Sequence, residues 1–178
     1  MGHRVSRIIS DETLSRIIQI ESAGNPQADA RTSTATGIGQ FVDPTWLAVV
    51  CQHRPDWMGN RSQSEVLAMR LDPVASIEML ARHTEDNARA LGPGYTDGDL
   101  YLAHFSGVDV ARKLLLAPAN DPVSRYYSPE AIAANRNILE GKTVGQVRTW
   151  AARKMQNASG HDWISEFWPP ERYAGEVH

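Results

Sequence analysis

Signals that start an α-helix recur along the whole chain, and nothing in it shows the two-residue alternation of a half-buried strand. Ser10 followed by Asp11 and Glu12 is an N-cap with acids at the positive end of a helix. Asp43-Pro44 reads as an N-cap and first helical residue, opening a helix through Trp46, Leu47, Val49 and Val50. Ser62 with Glu65 forms a capping box for a short helix through Leu71, and Asp72-Pro73 starts a longer one that Gly92-Pro93 ends. Asp97 to Phe105 and Val108 to Leu116 make a helical pair hinged at Gly107. Ser128-Pro129 opens a helix through Ile138 and Leu139, and Thr143 with Gln146 caps another bearing Val147, Trp150 and Ala151. The expected fold is all-α or nearly so, with any strand confined to the loop from Arg31 to Thr36. At 178 residues and 42% hydrophobic, the chain is long enough for one well-buried core. A single domain over 1–178 is the economical reading, with 141–178 a helical C-terminal extension of unassigned role.

Within the first helix one charge interrupts an apolar stripe. Leu14, Ile17 and Ile18 lie seven, four and three positions before Glu21, so at helical spacing all four side chains share a face. A carboxyl group there is expected to be partly desolvated, which disfavours its charged form and suits it to general-acid chemistry. The bland alternative is a glutamate that ends a helix at a solvated rim. Ser22-Ala23-Gly24-Asn25-Pro26 stops the helix, with Gly24 expected to take the left-handed cap conformation. Gly37-Ile38-Gly39-Gln40-Phe41 follows, in which the glycines let the backbone pass close to another group and Gln40 offers a donor and an acceptor. The order is helix, acid, polar loop, glycine turn, helix.

These segments resemble the catalytic core of the soluble lytic transglycosylases, a lysozyme-like family that cleaves peptidoglycan. Glu21-Ser22 matches the family's catalytic glutamate and serine, and Ala35-Thr36-Gly37-Ile38-Gly39-Gln40-Phe41 matches its Gly-x-x-Gln signature. Ala103-His104-Phe105-Ser106-Gly107 is a weaker match to the family's Ala-Tyr-Asn-Ala-Gly. His104 stands there for the tyrosine and Phe105 for the asparagine, so the hydrogen bonds made by those residues do not carry over directly. The resemblance spans about residues 10 to 140. It implies a lysozyme-like helical domain with a substrate groove, Glu21 as the catalytic residue, and Ser22, Gly39, Gln40, Phe41 and His104 as substrate-binding residues. It also implies that one of Tyr126 and Tyr127, which follow the turn-rich stretch from Pro118 to Ser124, stands near the acid; a core aromatic is the plainer alternative.

The implied reaction uses one carboxyl group. Glycosidases usually pair two, but the only other acid between Glu21 and Gln40 is Asp29, for which Arg31 is an expected structural partner. Glu21 would protonate the oxygen between N-acetylmuramic acid and N-acetylglucosamine, then take a proton from the muramyl 6-hydroxyl to leave a 1,6-anhydro ring. Ser22 would orient the glutamate or the acetamido group. Neither a cofactor nor a metal is required. Two other readings stay open: a muramidase in which Asp29 or Asp43 activates water, and a noncatalytic wall-binding module of a phage particle or secretion system.

Other chemistries find less support. A net charge of −3 and the lack of a basic run with interleaved aromatics argue against nucleic acid. His3, His53, His83, His104, His161 and His178 are scattered without metal-ligand spacing. Gly37-Ile38-Gly39 is only a fragment of a dinucleotide fingerprint, and no Gly-x-Ser-x-Gly elbow surrounds Ser22 or Ser33. Cys51, the only cysteine, is expected on the buried side of its helix. Trp150, Trp163 and Trp168 could stack on sugars, although packing is the plainer role; the tail with Trp163, Phe167, Trp168, Pro169-Pro170 and Tyr173 is expected to pack onto the domain or a partner. No apolar stretch reaches the roughly 20 residues of a membrane span, and no signal-peptide core follows the basic N-terminus. The expected partner is the glycan strand of peptidoglycan in the periplasm or cell wall. It would be reached after removal of a leader, through a phage-type holin, or by a dedicated secretion machine.

Overall fold

The computed structural model describes residues 4–158 and 160–168. They form ten α-helices: α1 (Asp11–Ser22), α2 (Asp43–His53), α3 (Gln63–Ala68), α4 (Pro73–Leu91), α5 (Asp97–Ser106), α6 (Val108–Leu116), α7 (Pro129–Ala134), α8 (Arg136–Leu139), α9 (Val144–Asn157) and α10 (Trp163–Phe167). Short 3-10 turns cover Pro55–Trp57, Met69–Leu71 and Val123–Arg125. The fold is all-α. Among the described residues β structure is limited to isolated bridges: Asp29 with Thr36 and Thr36 with Phe41, which frame the expected loop, and Pro122 with Thr143, outside it.

The chain divides into two compact units, one of residues 1–85 and 158–178 and the other of residues 86–157, with the division inside α4. The segment expected as a C-terminal extension contributes to both. Its helix α9 packs on α5 in the second unit, and α10 packs on α1 in the first. Pro169, Pro170, Tyr173 and His178, like His3, lie outside the described residues.

In the first unit, Leu14, Ile17 and Ile18 of α1 are fully buried, as the stripe predicts. Removing such side chains from water contributes about 1.5–3 kcal/mol each. Ser10 caps α1 by accepting the Thr13 N–H at 3.1 Å. Trp46 ties α2 to α3: its ring is fully buried and its indole N–H donates to the Val66 carbonyl at 2.8 Å. That bond satisfies a donor which burial would otherwise leave unpaired. The Ser62–Glu65 capping box forms as expected, but α3 tightens into a 3-10 turn after Ala68.

Several expectations are corrected. The N-cap of α2 is Val42, and Asp43 is the first helical residue; its carboxylate instead meets Arg70 at 2.8 Å. Cys51 is exposed. The buried stripe of α2 is set by Trp46, Val49 and Val50, and Cys51 follows Val50 by one residue, about 100° around the helix. In the second unit, the helix opened by Ser128-Pro129 breaks at Asn135 (φ −132°, ψ 44°) into α7 and α8. The α5–α6 pair turns at Gly107 as expected, and Thr143 and Gln146 cap α9 reciprocally at 2.9 and 3.2 Å.

Candidate functional site

The first set of candidate residues is assembled at the end of α1. Glu21 is half-buried in the last turn, following a stripe that is wholly inside. The left-handed cap is Ala23 (φ 49°, ψ 35°), not Gly24, although Gly24 also has positive φ (74°). Gly24 is required for a second reason: a Cβ there would lie 2.3 Å from the ring of Trp163. That ring also donates its N–H to Gln19 Oε1 at 3.0 Å, and the Ile164 N–H reaches Ser15 Oγ at 3.3 Å. Trp163 therefore closes the end of α1, a packing role, and Trp168 is buried.

Ser22 joins the two motifs. Its hydroxyl donates to the Ile38 carbonyl at 2.7 Å, with the Ile18 carbonyl at 3.3 Å. The turn bearing Glu21 is thus fastened to the glycine turn, and Ser22 acts by holding backbone. Gly37 has φ 80°, and a Cβ on it would lie 2.0 Å from the Arg70 carbonyl oxygen, so both conformation and space demand glycine. Its N–H donates to Ala28 O at 2.8 Å, folding the loop back on itself.

Gln40 is held at φ 51°, a conformation uncommon for a residue with a side chain. Its amide nitrogen donates to Ala28 O at 3.1 Å and Gly37 O at 2.9 Å. Both amide hydrogens are used on the loop, so Oε1 is what this side chain has to offer a ligand. Phe41, expected to bind substrate, is instead 2% exposed and packs edge-on against Trp46, with centroids 5.4 Å apart. Its ring anchors the turn and presents no face for stacking. Gly39 lies above that ring, where a Cβ would come within 3.0 Å of it.

Arg70 completes this set. It is 7% exposed, and its guanidinium donates to Leu67 O at 2.9 Å and to Thr34 O and Phe41 O at 2.8 Å, while meeting Asp43. Nothing near position 70 in the sequence signals this, because apart from Leu67 its carbonyl acceptors come from a loop some thirty residues earlier. Asp29 is exposed and has no ion pair to Arg31 among the described residues; its backbone bridges to Thr36 instead.

The second set lies in the second unit. His104 is half-buried on α5. Tyr127 is 7% exposed and its hydroxyl is hydrogen-bonded to Ser106 Oγ, so the Ala103–Gly107 motif and the tyrosine pair do meet. Burial pushes the Tyr127 hydroxyl above its ordinary pKa, against the opposing effect of Ser106. Tyr126 donates to Asp121 Oδ2 at 2.6 Å, and that bond raises its pKa. Phe105 and Tyr101 flank Trp150 at 4.9 and 5.6 Å, which makes Trp150 part of an aromatic cluster. Among the described residues no group of three or more His, Cys, Asp or Glu stands where it could hold a metal ion. No helix there is long and apolar enough to cross a membrane. No protein-family model matches the chain.

Proposed function

We propose that this chain is a peptidoglycan lytic transglycosylase with a lysozyme-like helical fold, acting in the periplasm or cell wall with Glu21 as its single acid and base. The observation that carries the reading is the Ser22–Ile38 hydrogen bond of 2.7 Å. It fastens a half-buried carboxyl group beside a rigid turn whose glutamine has one fixed acceptor left. A general acid needs that kind of restraint, since catalysis by a positioned group is lost when the group wanders by an ångström.

In this reaction Glu21 donates its proton to the glycosidic oxygen as the bond from muramyl C1 to that oxygen breaks, and the substrate's acetamido group shares the positive charge at C1. The muramyl 6-hydroxyl then attacks C1 and gives its proton to the Glu21 carboxylate, which regenerates the acid without consuming water. Gln40 Oε1 is suited to accept a hydrogen bond from a sugar N–H or O–H. Of the two bases open to a hydrolytic scheme, Asp43 is already engaged by Arg70, which favours the one-carboxylate path. Asp29 is exposed without an ion pair to Arg31 among the described residues, and a scheme that uses it is told apart by the mass of the products.

The test is digestion of purified peptidoglycan by the wild type and Glu21→Gln, with products weighed by mass spectrometry. The expected result is 1,6-anhydromuramyl ends from the wild type and activity lower by about 10²–10⁴-fold in the variant. Products heavier by one water would replace the proposal with a muramidase. Binding without cleavage by either protein would replace it with a noncatalytic wall module of a phage particle or secretion system.

A further inference from the structure

Charge is unevenly divided along the chain. Residues 86–157 carry nine of the 18 Lys and Arg side chains and seven of the 21 Asp and Glu, so this unit is positive within a chain of net charge −3. Part of that excess lines a cleft of about 900 Å³ formed by α8, α9 and the turn joining them. Lys142, Arg153 and Lys154 stand along it, all three exposed, and no acidic side chain lines it. None of the three has an ion-pair partner among the described residues.

The rest of the lining is specific about what the cations would meet. Trp150, one turn before Lys154, is half-buried and braced by Phe105 and Tyr101, so it presents an immobile apolar surface to the cleft. Asn137 and Asn157 add primary amides, each of which both donates and accepts. Carboxylates would satisfy the cations, peptide N–H and C=O groups the amides, and an aliphatic side chain the indole. A polyphosphate chain would use the cations equally well but has no N–H for the amide oxygens.

We infer that this cleft binds a short acidic peptide, and, resting on the reading of peptidoglycan as substrate, that the peptide is the one carried by the glycan strand. The chain would then hold its substrate by the peptide as well as by the sugars, and would favour peptide-bearing strands over bare ones.

The experiment is calorimetric titration of the full chain with the acetylated tripeptide acetyl-Ala-Glu-Ala, which carries two carboxylates and no cation, with the same tripeptide after amidation of both carboxyl groups, and with polyphosphate. The tripeptide with free carboxylates is expected to bind, with affinity that falls as salt rises. Amidation, or the double variant Arg153→Gln/Lys154→Gln, is expected to weaken it by about tenfold. Both substitutions are at exposed positions, so the variant retains its fold, which circular dichroism checks. Equal affinity for the amidated peptide, no loss in the double variant, or tighter binding of polyphosphate than of the tripeptide at this cleft would each overturn the inference. Glu21→Gln is expected to bind the tripeptide like the wild type. If the wild type binds the tripeptide but releases no muropeptide, the cleft stands and the proposed reaction falls. Cleavage without tripeptide binding leaves the reaction standing and overturns the role of the cleft.

Discussion

Arg70 brings a guanidinium into the loop of residues 28–41 and uses it on the carbonyls of Thr34 and Phe41 while Leu67 O takes its Nε–H. Loop backbone away from water needs such partners, because a buried acceptor left unpaired costs about 1–3 kcal/mol. Replacing Arg70 with Met keeps the stem but strands these carbonyls and the Asp43 carboxylate. Thr34 is exposed and the Asp43 side chain is 36% exposed, so the Phe41 carbonyl carries most of the cost, and the expected loss is about 1–3 kcal/mol, read as a lower urea midpoint. Glu21 and the glycine turn that carries Gln40 are legible in the sequence because each announces itself locally, by a charge on an apolar stripe or a glycine where a turn is needed; Ser22 enters only through the resemblance, and its bond to Ile38 has no local signal. Arg70 was not legible, since an arginine at the end of a short helix looks the same whether it meets water or a loop thirty residues away. Phe41 misled for a related reason: beside a glycine turn an aromatic ring serves as either a ligand platform or an anchor, and only the proximity of Trp46 decides.

At the scale of helices, capping is short-range and forms as expected at four N-termini, but not at α2, which Val42 caps in place of Asp43, or at the end of α1, where Ala23 takes the left-handed position expected of Gly24. Ser10, Ser62, Ser128 and the Thr143–Gln146 pair all act as expected. Rotation and continuity depart as well: Cys51 sits one residue past the buried stripe, and Asn135 breaks a helix that propensity alone would continue. The shortest helix of the first unit makes a prediction of its own. Asp162 caps α10 by accepting from the Ser165 hydroxyl at 2.6 Å and the Ser165 N–H at 3.0 Å, and these bonds hold its carboxyl below the ordinary value of 3.8. A carboxyl with a depressed folded-state pKa contributes stability that is complete above its unfolded value and is lost as pH falls through the folded one. The docking of α10 should therefore be unaffected at neutral pH and loosen only below about pH 4. The Trp163 indole N–H resonance, hydrogen-bonded to Gln19, should shift in that range by NMR, and Asp162→Ala should show the loosened position at every pH.

Across the whole molecule, the chain leaves its first unit within α4, builds the second, and returns to finish the first with α10. The turn that carries Glu21 is consequently completed by residues far from it in sequence, and a linear reading that treats the segment after 141 as an appendage misses this. Trp163 fills the space that Gly24 leaves empty, and α10 supplies Gln19 and Ser15 with their partners. A chain cut after Asn157 loses those contacts, and with them the restraint on the end of α1. In the second unit, the packing of α5 on α6 and α9 involves only residues before the cut. Hydrogen exchange on the truncated protein should thus show amide protection around Gln19 to Ala23 reduced by at least about tenfold, or about 1.4 kcal/mol, while α5 and α9 keep theirs. Cleavage of peptidoglycan should fall with the first of these and not follow the second. Equal loss of protection in both units would mean that they unfold as one body, and unchanged protection at α1 would mean that the Trp163 contact does not hold the end of that helix.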